Sequence, residues 1–229
     1  MITLGIPSKG RLQEETVAWF ASRGVTLART GHGREYAGAV RGINGLELVL
    51  LSAGEIPREL ALGRLHLGVT GQDLVAEHLT AADGVERVRP MGFGHADLVV
   101  AVPKTWIDCD TMDDLDAVAA AFRLAHGHRL RVATKYHELT RRFFARHGVA
   151  DYRLVDSQGA TEGTVTNRTA EAIADITTTG ETLDANHLKV LSDGLILASE
   201  ATLFRARRAV WSPDDEAAFD TLVHQLEAA

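Results

Sequence analysis

The chain of 229 residues has one cysteine, five prolines and few aromatic side chains, 6% in all. The lone Cys109 excludes an internal disulfide and any cysteine-cluster metal site, and it fits a reducing compartment. Asp108 and Asp110 flank it with no cation to lower its pKa, so an inert thiol is expected. No stretch reaches the roughly 18 uninterrupted apolar residues that a membrane span needs. Met1 to Pro7 leads into a strand without a charged leader or cleavage site, which points to a cytoplasmic protein. The ten histidines show no metal-ligand spacing; even His126 and His128 lack acidic neighbours at useful offsets. Gly-x-x-x-x-Gly-Lys-[Ser/Thr], Gly-x-Gly-x-x-Gly and Gly-x-Ser-x-Gly are all missing, which weakens P-loop, dinucleotide and serine-hydrolase readings. A net charge of −7 argues against coating nucleic acid, whereas a small anion needs only local positive charge.

What is present is an ordinary globular composition, 45% hydrophobic and 24% charged. The length suits one large or two small domains. Ile2 to Ile6 reads as a buried strand, and Pro7 to Leu12 as the turn into a helix that Gly24 ends. Further strands are expected within Thr26–Val40, at Glu47–Leu51 and at His66–Thr70, with short helices after Glu55 and after Gly71. Strand, polar turn and helix thus recur at least three times. That pattern specifies an α/β fold with a parallel, doubly wound sheet whose ligands bind at the carboxyl ends of the strands. A glycine-rich passage at Pro90–His95 then leads into a second domain. There a helix is expected over Asp113–His126, strands at Leu130–Thr134 and Tyr152–Asp156, and a helix after Lys135. A final helix is expected over Pro213–Glu227.

The residue pattern with most chemical content is Asp175-Ile176-Thr177-Thr178-Thr179-Gly180-Glu181-Thr182-Leu183. It follows an expected strand over Ala170–Ala174, closed by Asp175. A strand that opens through threonines and glycine into a helix aims hydroxyls and backbone N–H groups at one point, which suits a phosphate dianion. An acidic residue there can hold ribose hydroxyls or a substrate-bridging Mg²⁺. Other strand-end loops carry Lys9 and Arg11, Gly71 and Asp73, Lys135 and Tyr136, and Gly159 and Glu162. A two-domain α/β protein closing on anionic ligands is either a binding protein or a transferase, and the pattern alone does not separate them.

Gly159-Ala160-Thr161-Glu162, followed in register by Ala170 to Leu188, resembles the long signature of the ATP phosphoribosyltransferase family. Gly63 to Asp73 is similar to that family's Gly-x-x-Asp-Leu-Gly-Ile-x-Gly-x-Asp. Ala133-Thr134-Lys135-Tyr136 and Lys9-Gly10-Arg11-Leu12 resemble two more of its motifs. The resemblance implies two α/β domains like those of type II periplasmic binding proteins, with the chain crossing between them twice. Residues 1–97 with 190–229 would form domain I, and 98–189 domain II. It implies transfer of phosphoribose from 5-phosphoribosyl-1-pyrophosphate (PRPP) to N1 of ATP with Mg²⁺, the first step of histidine biosynthesis. The length matches the short form without a C-terminal regulatory domain. That implies a hetero-oligomer with a separate regulatory subunit resembling histidyl-tRNA synthetase. Glu171, Asp175, Thr178, Thr179, Gly180, Glu181 and Thr182 would bind PRPP, with Asp175 also near the metal. Lys9, Arg11, Arg34, Gly71, Asp73 and Glu162 would serve ATP and the cleft, and Lys9, Arg11 and Asp175 would be catalytic. Two departures stand out. Ser52 occupies the place of a frequent arginine, leaving Arg58 or Arg34 to supply that charge, and the signature's Gly-Leu-Ala-Asp is Arg168-Thr169-Ala170-Glu171. A solute-binding protein of the same fold and a phosphoribosyltransferase with another acceptor are the alternatives.

Overall fold

The structure is a computed structural model that describes residues 1–29, 37–157 and 159–227. The chain opens with β1 (Ile2–Pro7), buried at every position except Thr3, as a strand covered on both faces requires. α1 (Arg11–Ala21) follows and buries Thr16 and Phe20. β2 (Thr26–Arg29), β3 (Ala37–Arg41) and β4 (Leu46–Leu51) come next, β2 pairing antiparallel with β3 and β3 with β4. The link between β3 and β4, residues 42–45, is too short for a crossover and forces the antiparallel direction there. α2 (Ile56–Ala61), β5 (Leu67–Gly71), α3 (Gln72–His78) and β6 (Val85–Pro90) complete this passage.

The next passage runs through β7 (Ala96–Pro103), α4 (Met112–His126), β8 (Leu130–Thr134), α5 (His137–Arg146) and β9 (Tyr152–Asp156). It continues with α6 (Gly163–Thr166), β10 (Ala172–Thr177), α7 (Glu181–Ala185) and β11 (Leu188–Ser199). β12 (Ala201–Ala206) and α8 (Pro213–Glu227) close the chain. Two compact units result, 1–94 with 200–229 and 95–199, so the chain passes between them twice. The expected return at 190 falls inside β11, which pairs with β7 from Leu188 opposite Pro103 to Ser199 opposite Ala96 and so lies in the second sheet.

The first sheet has the order β2-β3-β4-β1-β5-β12-β6. Its parallel centre, β4-β1-β5, is the part that the recurring strand, turn and helix specify. Carboxyl ends of those three strands therefore lie side by side, carrying the Ser52, Lys9–Arg11 and Gly71–Asp73 turns. In the second sheet the order is β11-β7-β10-β8-β9, with β10 parallel to β8 and antiparallel to β7.

Alternation along the second sheet shows how both its faces are covered. Val100, Val102, Ala172 and Ala174 join Met112, Leu115 and Phe144 in one buried cluster. Val99, Ala101 and Ile173 join Leu183 and Leu188 in another. α4 is anchored at its start by a reciprocal cap in which Thr111 and Asp114 satisfy each other's backbone N–H groups, at 2.8 and 3.2 Å. No helix among the described residues is long and apolar enough to cross a membrane.

Cys109 lies in the first of those clusters, 1% exposed. Burial, together with the carboxylates of Asp114 and Asp110, pushes its thiol up to about 11. The native protein should therefore resist iodoacetamide at pH 7.5 and react fully once unfolded; mass spectrometry distinguishes the two states. Leu115→Ala removes a side chain that is 0% exposed and should cost about 2–5 kcal/mol in urea denaturation.

Candidate functional site

β10 lies in the middle of the second sheet and runs on to Thr177, beyond the Ala174 expected from the sequence. Asp175 is thus a strand residue, paired with Val99 of β7, rather than the residue that closes the strand. It is 8% exposed, and a carboxylate so placed must find partners. The N–H of Ile176 donates to its Oδ1 at 2.9 Å. Lys135, at the end of the neighbouring parallel β8, brings Nζ to 3.5 Å from the same oxygen. At 3.5 Å this is an ion pair with room for a ligand group to join it.

The loop after Thr177 is held by its own hydroxyls. Thr177 Oγ1 accepts the N–H of Gly180 at 3.0 Å, and Thr178 donates to the carbonyl of His95 at 3.3 Å. Gly180 takes φ 78 and ψ −8, the left-handed conformation that a β-carbon disfavours, and its carbonyl accepts the N–H of Asp184 at 2.9 Å. α7 then starts with first-turn N–H groups that lack a backbone acceptor one turn back, that of Glu181 donating to the Thr179 hydroxyl at 3.4 Å. Together these elements enclose a cavity of ≈ 270 Å³ lined by Glu162, Asp175, Ile176, Thr177, Thr178, Thr179, Thr182 and Leu183. Glu162 comes from the head of α6. Hydroxyls, helix-start N–H groups and a lysine suit a phosphate, while the two carboxylates suit sugar hydroxyls or a cation.

Asp175, Thr178, Thr179, Thr182 and Glu162 are brought together in one cavity, whereas Gly180 and Glu181 are not among its lining residues. Nor is Glu171. It precedes β10, four residues and so about 13 Å of strand away from Asp175, at the other end of the sheet. There it accepts the Arg131 backbone N–H at 2.7 Å and the Arg131 guanidinium at 2.5–3.2 Å. Burial pushes the Glu171 carboxyl up, but the hydrogen bonds from Arg131 outweigh it and hold the carboxyl below its usual range. Glu171 braces the start of β10 against β8, and, contrary to the expectation that it joins Asp175 at the ligand, it does not line the Asp175 cavity. Lys135 is the converse case. It belongs to a strand-end loop noted in the sequence, yet its approach to Asp175 depends on β8 and β10 being neighbours, which no local pattern specifies.

In the first unit, Gly10 heads α1 at φ 80, with Lys9 and Arg11 exposed on either side of it. Arg11 Nε is 3.5 Å from Glu15 one turn on. Gly71 heads α3, and Asp73 is buried in that helix's first turn. Ser52, in place of the frequent arginine, donates its backbone N–H and hydroxyl to Glu55 at 3.0 and 2.7 Å. Those bonds tie the turn shut and hold the Glu55 carboxyl below its usual range. Arg58 lines a different hollow, with Gly54, His78 and Arg208. Arg34 lies outside the described residues.

No group of three or more His, Cys, Asp or Glu side chains that could hold a metal occurs among the described residues. The Asp175 and Glu162 pair matches the one or two carboxylates with which proteins meet Mg²⁺ carried on phosphate substrates.

A family profile described as ATP phosphoribosyltransferase matches residues 52–228. The chain is 67% identical over 214 residues to an ATP phosphoribosyltransferase of Cereibacter sphaeroides, covering 92% of this chain and 90% of that protein. It is 53% identical over 212 residues to one of Afipia carboxidovorans, covering 92% of this chain and 65% of that protein. Among solved structures it is similar to a chain of the ATP phosphoribosyl transferase (HisG:HisZ) complex from Thermotoga maritima, with a TM-score of 0.76 at 21% identity, covering 100% of this chain and 97% of that one. It also shares the fold of an arginine-binding protein from Thermotoga maritima, with a TM-score of 0.54 at 12% identity over 99% of this chain and 88% of that one.

Glu171→Gln should destabilise the protein by about 1.5–3 kcal/mol at pH 7, read by urea denaturation, while phosphate affinity at the Asp175 cavity stays unchanged. A carboxyl with a depressed folded pKa contributes stability above its unfolded pKa and loses it as pH falls through the folded value. The gap between variant and wild type should accordingly shrink as the medium is taken below the usual glutamate range.

Proposed function

The chain belongs to the ATP phosphoribosyltransferase family, pentosyltransferases that open histidine biosynthesis, and from that premise we propose how its residues divide the work. The observation that carries the reading is the Asp175–Thr182 cavity, in which a buried carboxylate and a helix-start phosphate cradle face one small space. The 5′-phosphate of PRPP sits against the hydroxyls of Thr178, Thr179 and Thr182 and the backbone N–H groups of Glu181 and Thr182, with Gly180, whose own N–H is held by Thr177, shaping the turn. Asp175 accepts the ribose hydroxyls, oriented by the Ile176 N–H and by Lys135, whose charge also faces the substrate's phosphates. Glu162 closes the same space from α6.

Transfer breaks the bond between C1 of the ribose and the pyrophosphate oxygen, and that electron pair leaves with pyrophosphate. The adenine N1 lone pair forms the new bond to C1. No protein nucleophile is needed for this displacement. What the protein supplies is orientation and stabilisation of charge on the leaving group. Mg²⁺, when bound with PRPP, supplies further charge neutralisation, with Asp175 and Glu162 as the protein oxygens suited to meet it. Lys9 and Arg11, at the carboxyl end of β1, take phosphates of ATP or pyrophosphate, and on sequence grounds Arg34 joins them. Gly71 lets a nucleotide approach the head of α3, and the buried Asp73 shapes that turn. Ser52 is neutral and adds no charge, and its hydroxyl is bound to Glu55.

We also propose cytoplasmic action and assembly with a separate regulatory subunit resembling histidyl-tRNA synthetase. The solved Thermotoga maritima complex with the same fold supports the second proposal. The chain spans 65% of the length of the Afipia carboxidovorans relative.

Asp175→Asn and Thr182→Val should each lower kcat/KM for PRPP roughly 10- to 150-fold, corresponding to the loss of a charge-assisted hydrogen bond of about 1.5–3 kcal/mol, with circular dichroism unchanged. The assay mixes the chain with ATP, PRPP and Mg²⁺, with and without the regulatory subunit, and follows the absorbance of the adduct. Wild-type PRPP kinetics in both variants would remove the cradle from the mechanism. Lys135→Gln should lower kcat/KM for PRPP in the same assay and raise KM for PRPP more than KM for ATP.

A further inference from the structure

A second hollow in the same unit lies at the opposite end of β10, around Glu171 and Arg131. Its volume is ≈ 400 Å³, and Trp106, Phe122, His126, His128 and Arg168 contribute to its lining. That size is within the range of about 300–1,000 Å³ typical of small-molecule sites. It shares no lining residue with the Asp175 cavity.

One turn builds its aromatic wall. Gly127 ends α4 at φ 73, and the reversal brings both flanking histidines onto Phe122. Ring centroids are 4.2 Å apart for His126 and 5.3 Å for His128, with the two imidazoles 6.1 Å from each other. The floor is rigid and neutral, because Glu171 balances Arg131, which also donates to the Arg168 carbonyl at 3.0 Å.

Arg168 is the residue whose presence the fold does not require. Its φ is 58, a conformation that favours glycine, and glycine is what the family signature carries there. The backbone closes α6 as a glycine would, with Arg168 N–H donating to Val165 at 3.0 Å and Thr169 N–H to Thr164 at 2.9 Å. Its guanidinium is exposed and makes no ion pair among the described residues. Arg123 and Arg129 stand nearby in the chain and share one carboxylate, Asp151, at 2.5 and 3.9 Å. The region therefore carries surplus positive charge on a chain whose net charge is −7.

We propose that this hollow binds a small planar anion, its ring against Trp106, Phe122 and the histidine pair and its carboxylate or phosphate on Arg168. Aromatic walls favour a flat ring, and a guanidinium without a protein partner favours an oxyanion that it can grip with two N–H groups.

The test titrates the full-length chain with indole-3-acetate and phenyl phosphate, with indole-3-acetamide as the uncharged control. Ring-proton shifts of His126 and His128 are followed by NMR. Both anions should shift the two histidines saturably and bind at least tenfold more tightly than the acetamide. Arg168→Gly relieves the left-handed strain, so the fold should survive; it should abolish that preference while leaving turnover of ATP and PRPP unchanged. Equal binding of charged and uncharged probes, or undiminished anion binding by Arg168→Gly, would overturn the proposal. So would a lack of saturation by every probe when the regulatory subunit alone shifts the same resonances, which would make the hollow a protein contact. Because turnover is measured separately, failure here is distinguishable from failure of the PRPP cradle.

Discussion

The carboxylate of Asp175, 8% exposed in the middle strand of a five-stranded sheet, is the constraint on which the site depends. A charge in that position costs free energy unless it is met, and the chain meets it incompletely, with one backbone N–H and a lysine at 3.5 Å. The unsatisfied remainder is available to ligand hydroxyls or a cation. Its location also fixes everything around it. β8 must lie beside β10 to deliver Lys135, and β7 on the other side positions the His95 carbonyl that holds Thr178.

β10 bears an acidic residue near each end, and the two have opposite fates. Glu171 is saturated by Arg131, through the backbone N–H and the guanidinium, so it has little left to offer a ligand. Asp175 keeps acceptor capacity free. Similar side chains four residues apart are thus a structural brace and a candidate catalytic group, and the difference lies in which neighbours the sheet order supplies. The aromatic hollow beside the brace follows from the same order, because Arg131 and Arg168 meet only where β8 starts and α6 ends.

In the first unit, three parallel strands set three turns side by side. Lys9 and Arg11 flank a glycine with positive φ, Gly71 opens α3, and Ser52 is bound to Glu55. Ser52 stands where the frequent arginine would be, and it bonds to Glu55 within the turn. Its hydroxyl and N–H satisfy the acid locally, so the turn is stable with no cation there.

Much was legible in the sequence because its causes are local. Apolar and β-branched residues specified strands at Leu130–Thr134 and Tyr152–Asp156, and the threonine-glycine run marked the loop that lines the Asp175 cavity. These follow from side-chain burial and backbone conformation within a few residues. Tertiary structure alone decided the rest: that Asp175 lies inside its strand, that Lys135 faces it, that Glu171 is spent on Arg131, and that β11 stays with the second sheet to Ser199. Each depends on which strands are neighbours, and strand order is set by the packing of the whole sheet rather than by any one segment. The residue types of the Asp175–Thr182 stretch suited an anion by themselves, whereas its partners were chosen by the fold.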